Sequence, residues 1–167
     1  MFDRVVVATD GSESVARAVA VGCDLADRFD AEVHALYVLD TGEVESAPEQ
    51  VRAELRSALA DRGEAATADV VEAAPGPVES AVREGDPPVE ISRYADEVDA
   101  DVVVTGTRGR HGEGRLLLGS VAERVVRRAP VPVLTVRQLA EDERDDGPAG
   151  SFGAGTGAGT PTDPQPE

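Results

Sequence analysis

Apolar runs alternate along this chain with stretches in which apolar positions recur every three to four residues. Arg4 to Thr9 reads Arg-Val-Val-Val-Ala-Thr, the β-branched pattern of a strand buried on both faces. Asp10-Gly11-Ser12 reads as a turn. Ser12 or Ser14 is placed to cap a helix reaching about Phe29, with Val15, Ala18, Val19, Gly22 and Leu25 as its apolar stripe. Val33 to Leu39 is a second buried strand, and Gly42 to Ala47 reads as a loop. Pro48 suits the first turn of a helix that turns Val51, Leu55, Ala58 and Leu59 inward and runs to about Ala74, although Gly63 argues against one unbroken element. Pro75-Gly76-Pro77 stops it. Val78 to Arg83 is a short amphipathic third strand. Asp86-Pro87-Pro88 starts a helix with Val89, Ile91, Tyr94, Ala95 and Val98 on one side. Asp101 to Thr105 is a fourth strand, Ser120 opens a helix to about Arg128, and Val131 to Val136 is a fifth strand. Pro132 has no N–H to give a ladder, which puts that strand at a sheet edge.

Strands and helices that alternate in this way form a mostly parallel sheet with helices on both faces, an α/β fold. Ligands in such folds bind beyond the carboxyl ends of the strands, where strand order reverses. Attention therefore falls on the residues after the first and fourth strands. Gly106-Thr107-Arg108-Gly109 follows the fourth, and after nine further residues comes Gly119-Ser120. Glycines at a strand end let backbone amides approach an anion without interference from Cβ. At Gly119-Ser120 a helix begins, and its N–H groups and positive dipole end can receive phosphate, with the Ser120 hydroxyl as a further donor. Arg108, Arg110 and Arg115 can neutralise phosphate charge. With 17 Gly in the chain, this pattern arises by chance somewhere along it at roughly 1%. Asp10 follows the first strand on the same rim. It suits ribose hydroxyls, a water network or a divalent cation, and equally a helix N-terminus favoured by the dipole. Val38 ends the second strand, where its backbone groups can read an adenine edge.

Charge narrows the range of functions. The chain has 167 residues, 33 acidic and 16 basic, for a net charge of −17. Every base is Arg; the absence of Lys excludes Schiff-base chemistry and a P-loop lysine. The overall field repels polyanions, so no nucleic acid or anionic membrane is expected as partner. No run of apolar residues approaches the ~20 that a span needs. One Cys (Cys23) permits no internal disulfide, which points to a reducing cytoplasm. Two His and one Cys, far apart, argue against structural zinc. Abundant carboxylates without Lys suit a high-salt cytoplasm, where screening weakens self-repulsion. Composition breaks near Leu139, giving a folded unit over 1–139 and an acidic, Gly/Pro-rich tail over 140–167. The tail carries net charge −6 and repeats Gly-Ala-Gly-Thr. It has too little apolar surface to offset its ordering entropy and is expected to be disordered.

These residues resemble the universal stress proteins of the UspA type over about 2–137. The likeness lies in Val5-Val6-Val7-Ala8-Thr9-Asp10-Gly11-Ser12, Gly85-Asp86-Pro87, and Ala100-Asp101-Val102-Val103-Val104 leading into the glycine motif. It continues through Gly119-Ser120-Val121-Ala122-Glu123 and Ala129-Pro130-Val131-Pro132-Val133-Leu134. The glycine spacing is that of the family's ATP-binding branch. The resemblance implies a five-stranded parallel sheet of order 3-2-1-4-5, Rossmann-like and related to the adenine nucleotide alpha hydrolases. It also implies ATP at the rim with Mg²⁺ or Mn²⁺, and a homodimer through the fifth strand. By the same resemblance, Asp10 contacts the sugar–phosphate region, Val38 contacts adenine through its backbone, and Gly106, Gly109, Gly119 and Ser120 hold phosphates. Ala8, Thr9, Thr105 and Val121 lie close by. Thr105 stands where the family often has Met, and the segment after the second strand is short. The function this implies is nucleotide-dependent regulation in the stress response. The alternative is a slow metal-dependent ATPase with His111 or Glu113 as the water-orienting group, for which no second catalytic member is identifiable. An electron-transfer or ligase relative sharing the pocket lacks any specific motif. His34, Cys23, Tyr37 and Tyr94 read as core.

Overall fold

The computed structural model describes residues 2–107 and 118–138. Five strands form one sheet: β1 (Arg4–Thr9), β2 (Glu32–Asp40), β3 (Val78–Gly85), β4 (Val102–Gly106) and β5 (Val133–Val136). All pairings are parallel, in the order β3-β2-β1-β4-β5. Among the described residues the helices are α1 (Glu13–Phe29), α2 (Thr41–Ser46), α3 (Glu49–Ala73), α4 (Pro87–Glu97) and α5 (Ser120–Arg128).

The central strand β1 shows why the apolar run is continuous. Val5 and Val7 face a layer made by α1 with Val70 of α3, whereas Val6 and Ala8 face Ile91, Tyr94 and Ala95 of α4 and Val125 of α5. Val5, Val6 and Val7 are each 0% exposed, and each such burial contributes about 1.5–3 kcal/mol. A third cluster, Tyr37, Leu39, Val44, Leu59 and Ala66, closes the sheet under α2 and α3. Cys23 is buried in the first layer, and that burial pushes its thiol pKa up, the state of a packing residue.

The structure departs from the sequence reading in four places. The segment expected as a loop after the second strand contains helix α2. Asp40 caps it by accepting the Gly42 N–H at 2.8 Å, and Val44 anchors it in the third cluster. Helix α3 ends at Ala73, in keeping with the expected end near Ala74, and Gly63 within it lies against the Tyr37 ring, where a Cβ would come within 2.6 Å of Tyr37 Cδ1. Its inward face is Leu59, Gly63, Ala66, Thr67 and Val70, whereas Val51 and Ala58, expected inside, are exposed. Core contact begins only where the helix reaches Leu55 and Leu59, opposite Tyr37, Leu39 and Val44. Strand β3 extends to Gly85, two residues beyond the expected end, and β5 begins at Val133 rather than Val131. Pro132, just before β5, still serves β4 by accepting the Val103 N–H at 3.0 Å, and β5 lies at the sheet edge, as expected.

Buried polar groups on the α4 side are linked. His34 is buried in β2, with Nδ1 3.1 Å from the Tyr94 hydroxyl; Glu32 Oε2 lies 3.5 Å from Nε2, a loose contact rather than a hydrogen bond. Glu90, almost wholly buried on α4, is ion-paired with Arg93. The tail over 140–167 lies outside the described residues.

Candidate functional site

Strand order reverses between β1 and β4, the two neighbours whose connections run to opposite sides of the sheet. Beyond their carboxyl ends lies a cavity of about 270 Å³. Chain direction and backbone bonding bring its walls together. After β1, Gly11 takes φ +69°, a left-handed conformation that Gly adopts without a Cβ penalty. The turn is held by Asp10, whose Oδ1 accepts the Ser12 N–H at 3.0 Å and the Ser12 hydroxyl at 2.6 Å. Ser12 in turn shares a 2.7 Å hydrogen bond with Ser14. The Asp10 carboxylate is therefore oriented by its own turn while it lines the cavity.

After β4, the Thr107 N–H donates to Val136 O at 3.0 Å, which extends the sheet by one bond. The chain then returns at Gly119, whose N–H donates to Thr107 O at 2.7 Å. One hydrogen bond thus brings the two ends of the glycine motif together. α5 starts immediately, with extended Gly119 (φ −62°, ψ 153°) as N-cap and no side-chain cap on its first turn. An uncapped helix start carries backbone donors and partial positive charge suited to an anion.

Of the residues singled out from sequence, Ala8, Thr9, Asp10, Val38, Thr105, Gly106, Gly119, Ser120 and Val121 all line this one cavity. Arg108, Gly109, His111 and Glu113 lie outside the described residues. Sequence reasoning missed the remaining walls. Leu36 is two residues before Val38, so a strand places both on one face. Pro87 and Ile91 are spaced i, i+4 on α4 and share a face by helical geometry. Val15, Thr107 and Ala122 flank residues already named. Asp40 ends β2 on the same face as Leu36 and Val38, whereas Glu43 reaches the cavity from α2, a segment expected to be loop.

The lining divides chemically. Val15, Leu36, Val38, Pro87 and Ile91 offer apolar surface, and the Gly106 and Gly119–Ser120 backbone offers donors. The charged groups among the described lining residues are carboxylates: Asp10, Asp40 and Glu43. Among the described residues no group of three His, Cys, Asp or Glu is arranged to hold a metal ion. Among the described residues no helix is long and apolar enough to cross a membrane.

A doubly wound sheet of this order with a glycine-built rim defines a class of α/β proteins that bind small ligands at the strand ends. Residues 1–137 match the universal stress protein family, and the chain belongs to it. It is 37% identical over 142 residues to a universal stress protein of Methanocaldococcus jannaschii, covering 83% of this chain and 84% of that relative. Among solved structures it is similar to the universal stress protein UspA from Lactobacillus plantarum, with 28% identity and a TM-score of 0.70, covering 81% of this chain and 98% of that one. A universal stress protein solved in complex with cAMP is similar at 29% identity and a TM-score of 0.61, covering 81% and 97% of the two chains.

Proposed function

We propose that this chain is an ATP-binding universal stress protein that acts as a nucleotide-dependent regulator in the cytoplasmic stress response. The observation that carries the reading is the convergence of Asp10, Val38, Gly106, Gly119 and Ser120 on one cavity at the point where strand order reverses. The adenine nucleotide held by a 29% identical relative supports the ligand class. In this reading the base lies on the apolar wall of Leu36, Val38 and Ile91, and Asp10 takes the sugar–phosphate region. The phosphates take N–H donors from Gly106, Gly109, Gly119 and Ser120, with Arg108 as counter-charge. Ala8, Thr9, Thr105 and Val121 shape the floor. Mg²⁺ or Mn²⁺ arrives bound to the phosphates and screens them from the three carboxylates. The folded unit ends at residue 139, two copies pair through β5, and a protein partner reads the nucleotide state at the 110–118 segment or at the dimer surface.

The test is the nucleotide content of the protein as isolated. Denaturing it should release ATP or ADP, and titration calorimetry of stripped protein should show ATP binding. Gly119→Val should reduce retention at least about tenfold, because a branched side chain would stand where backbone meets phosphate. Unchanged retention in Gly119→Val refutes the site. Turnover of ATP with metal that is lost in His111→Ala would make the protein a slow ATPase instead of a binding regulator.

A further inference from the structure

At the sheet edge opposite β5 lies β3. It pairs with β2 along its whole length, from Val33↔Val78 to Asp40↔Gly85, and among the described residues no strand lies on its other side. Its side chains alternate between the two faces. Arg83 goes to α4, where it donates to Glu97 at 2.8 Å and lies 5.2 Å over the Tyr94 ring. On the opposite face Glu84 pairs with Arg56 of α3 at 3.5 Å. Along the second half of α3 this face stays open: a groove remains, lined by Thr67, Ala68 and Val71 of α3 and Ser80 to Val82 of β3, with Glu64 and Glu72 on its rim. Val71 and Val82 are 46% and 39% exposed within it.

Natural sheet edges are usually blunted by charge, proline or a covering element. This one carries Glu79, Arg83 and Glu84, yet over Ser80 to Val82 it leaves Val82 exposed in the same groove as Val71. The groove's charge is one-sided. The charged residues that line the groove are Glu64 and Glu72, with no Arg among its lining.

We infer that this edge is a docking surface for an extended basic segment of another protein, which adds as a sixth strand beside β3. Strand addition extends the ladder beyond β3. On the α3 face apolar side chains of the segment cover Val71 and Val82, and Arg or Lys side chains flanking them on that same face meet Glu64 and Glu72. Two other occupants are disfavoured by charge: the chain's own residues 140–167 carry net charge −6, and a second copy brings −17 with the same glutamate rim. The inference is independent of the nucleotide reading, because the groove shares no residue with the rim cavity.

The test uses the full chain, isotope-labelled for NMR, and a capped peptide of about seven residues, Arg-Thr-Val-Thr-Val-Thr-Arg, the length of a typical strand, whose alternate positions put both Arg and both Val on one face. A counterpart with Glu in place of Arg is the control. The Arg peptide should shift the amides of β3 and of residues 64–72, with affinity falling as salt rises from about 0.1 M to about 1 M. Glu64→Gln with Glu72→Gln should weaken it several-fold. So should Val71→Ser with Val82→Thr, which leaves charge unchanged at exposed positions; circular dichroism checks that both variants fold. Equal binding of the Glu peptide, shifts confined to other surfaces, or no effect of either double variant overturns the inference. A dimer dissolved by Val82→Thr would assign the edge to a second copy, and contacts from residues 140–167 to β3 would assign it to the tail; either result overturns the inference too.

Discussion

Gly22 sits on the buried face of α1 between Val19 and Cys23, where the helix crosses β1 and β4. A Cβ built there would lie 2.7 Å from Val7 Cγ2 and 3.5 Å from two atoms of Val104. Apolar carbons rest at about 3.5–4.0 Å, so the overlap with Val7 approaches 1 Å. Two effects oppose each other in Gly22→Ala. Helix propensity favours Ala by about 1 kcal/mol. Overpacking a tight core costs about 1–3 kcal/mol. Val7 is 0% exposed, and its branched side chain has few alternative rotamers, so the cost falls in the upper half of that range. The net expectation is a loss of about 1–2 kcal/mol, or roughly 3–8 °C in Tm for a unit of this size. The identity of the clashing atom makes the argument testable. Val7→Ala removes that methyl and alone costs about 2–3 kcal/mol in transfer and cavity terms. In the double variant the methyl introduced at position 22 enters the space that the Val7 side chain vacates. The two losses should then fail to add, by about 1–2 kcal/mol in favour of the double variant. Urea unfolding of the four proteins, followed by circular dichroism, measures the cycle. A Gly22→Ala protein as stable as the parent, or strict additivity, would refute the packing account.

Three other outcomes follow from the same geometry. Tyr94→Phe removes the hydroxyl 3.1 Å from His34 Nδ1 in a buried setting, and should lower stability by about 1–2 kcal/mol in urea unfolding while leaving the fold intact. Asp101 accepts the Asp3 and Arg4 N–H groups at 2.6 and 2.9 Å, bonds that hold its carboxyl below the ordinary 3.8. A carboxyl depressed in the folded state stabilises it above the unfolded value and loses that contribution as pH falls through the folded one. Asp101→Asn should therefore lower stability in urea at neutral pH by about 1 kcal/mol, with the gap to the parent closing in acid below 3.8. Leu134, 38% exposed on edge strand β5, should matter for association: under the proposed β5 pairing, Leu134→Arg converts a dimer to a monomer in light scattering, and a parent that is already monomeric refutes that pairing.

Much of the site is legible in the chain because glycine and strand patterns report backbone requirements directly. Val5 to Val7 are apolar without interruption because helices cover both faces of β1, and Gly106 with Gly119-Ser120 marks where the chain leaves and re-enters the rim. Asp40 follows from the strand period, two residues beyond Val38, but Glu43 is not legible, because Gly42 lowers helix propensity over 41–46 and the Val44 anchor exists only once β2 and α3 are in place. Val51 lies outside the core for a related reason, and Ala58 falls off the Leu55, Leu59, Gly63 stripe that faces the sheet. Helical periodicity fixes which positions share a face, but where along a helix the core begins depends on what lies beneath it.

Local sterics, side-chain period and composition are enough to set the strand and helix alternation, the edge position of the fifth strand and the acidic charge. Packing alone settles that Glu43 reaches the cavity, what Gly22 and Gly63 lie against, and where α3 stops covering β3. Those outcomes rest on contacts between residues far apart in the chain, which neither propensity nor spacing encodes.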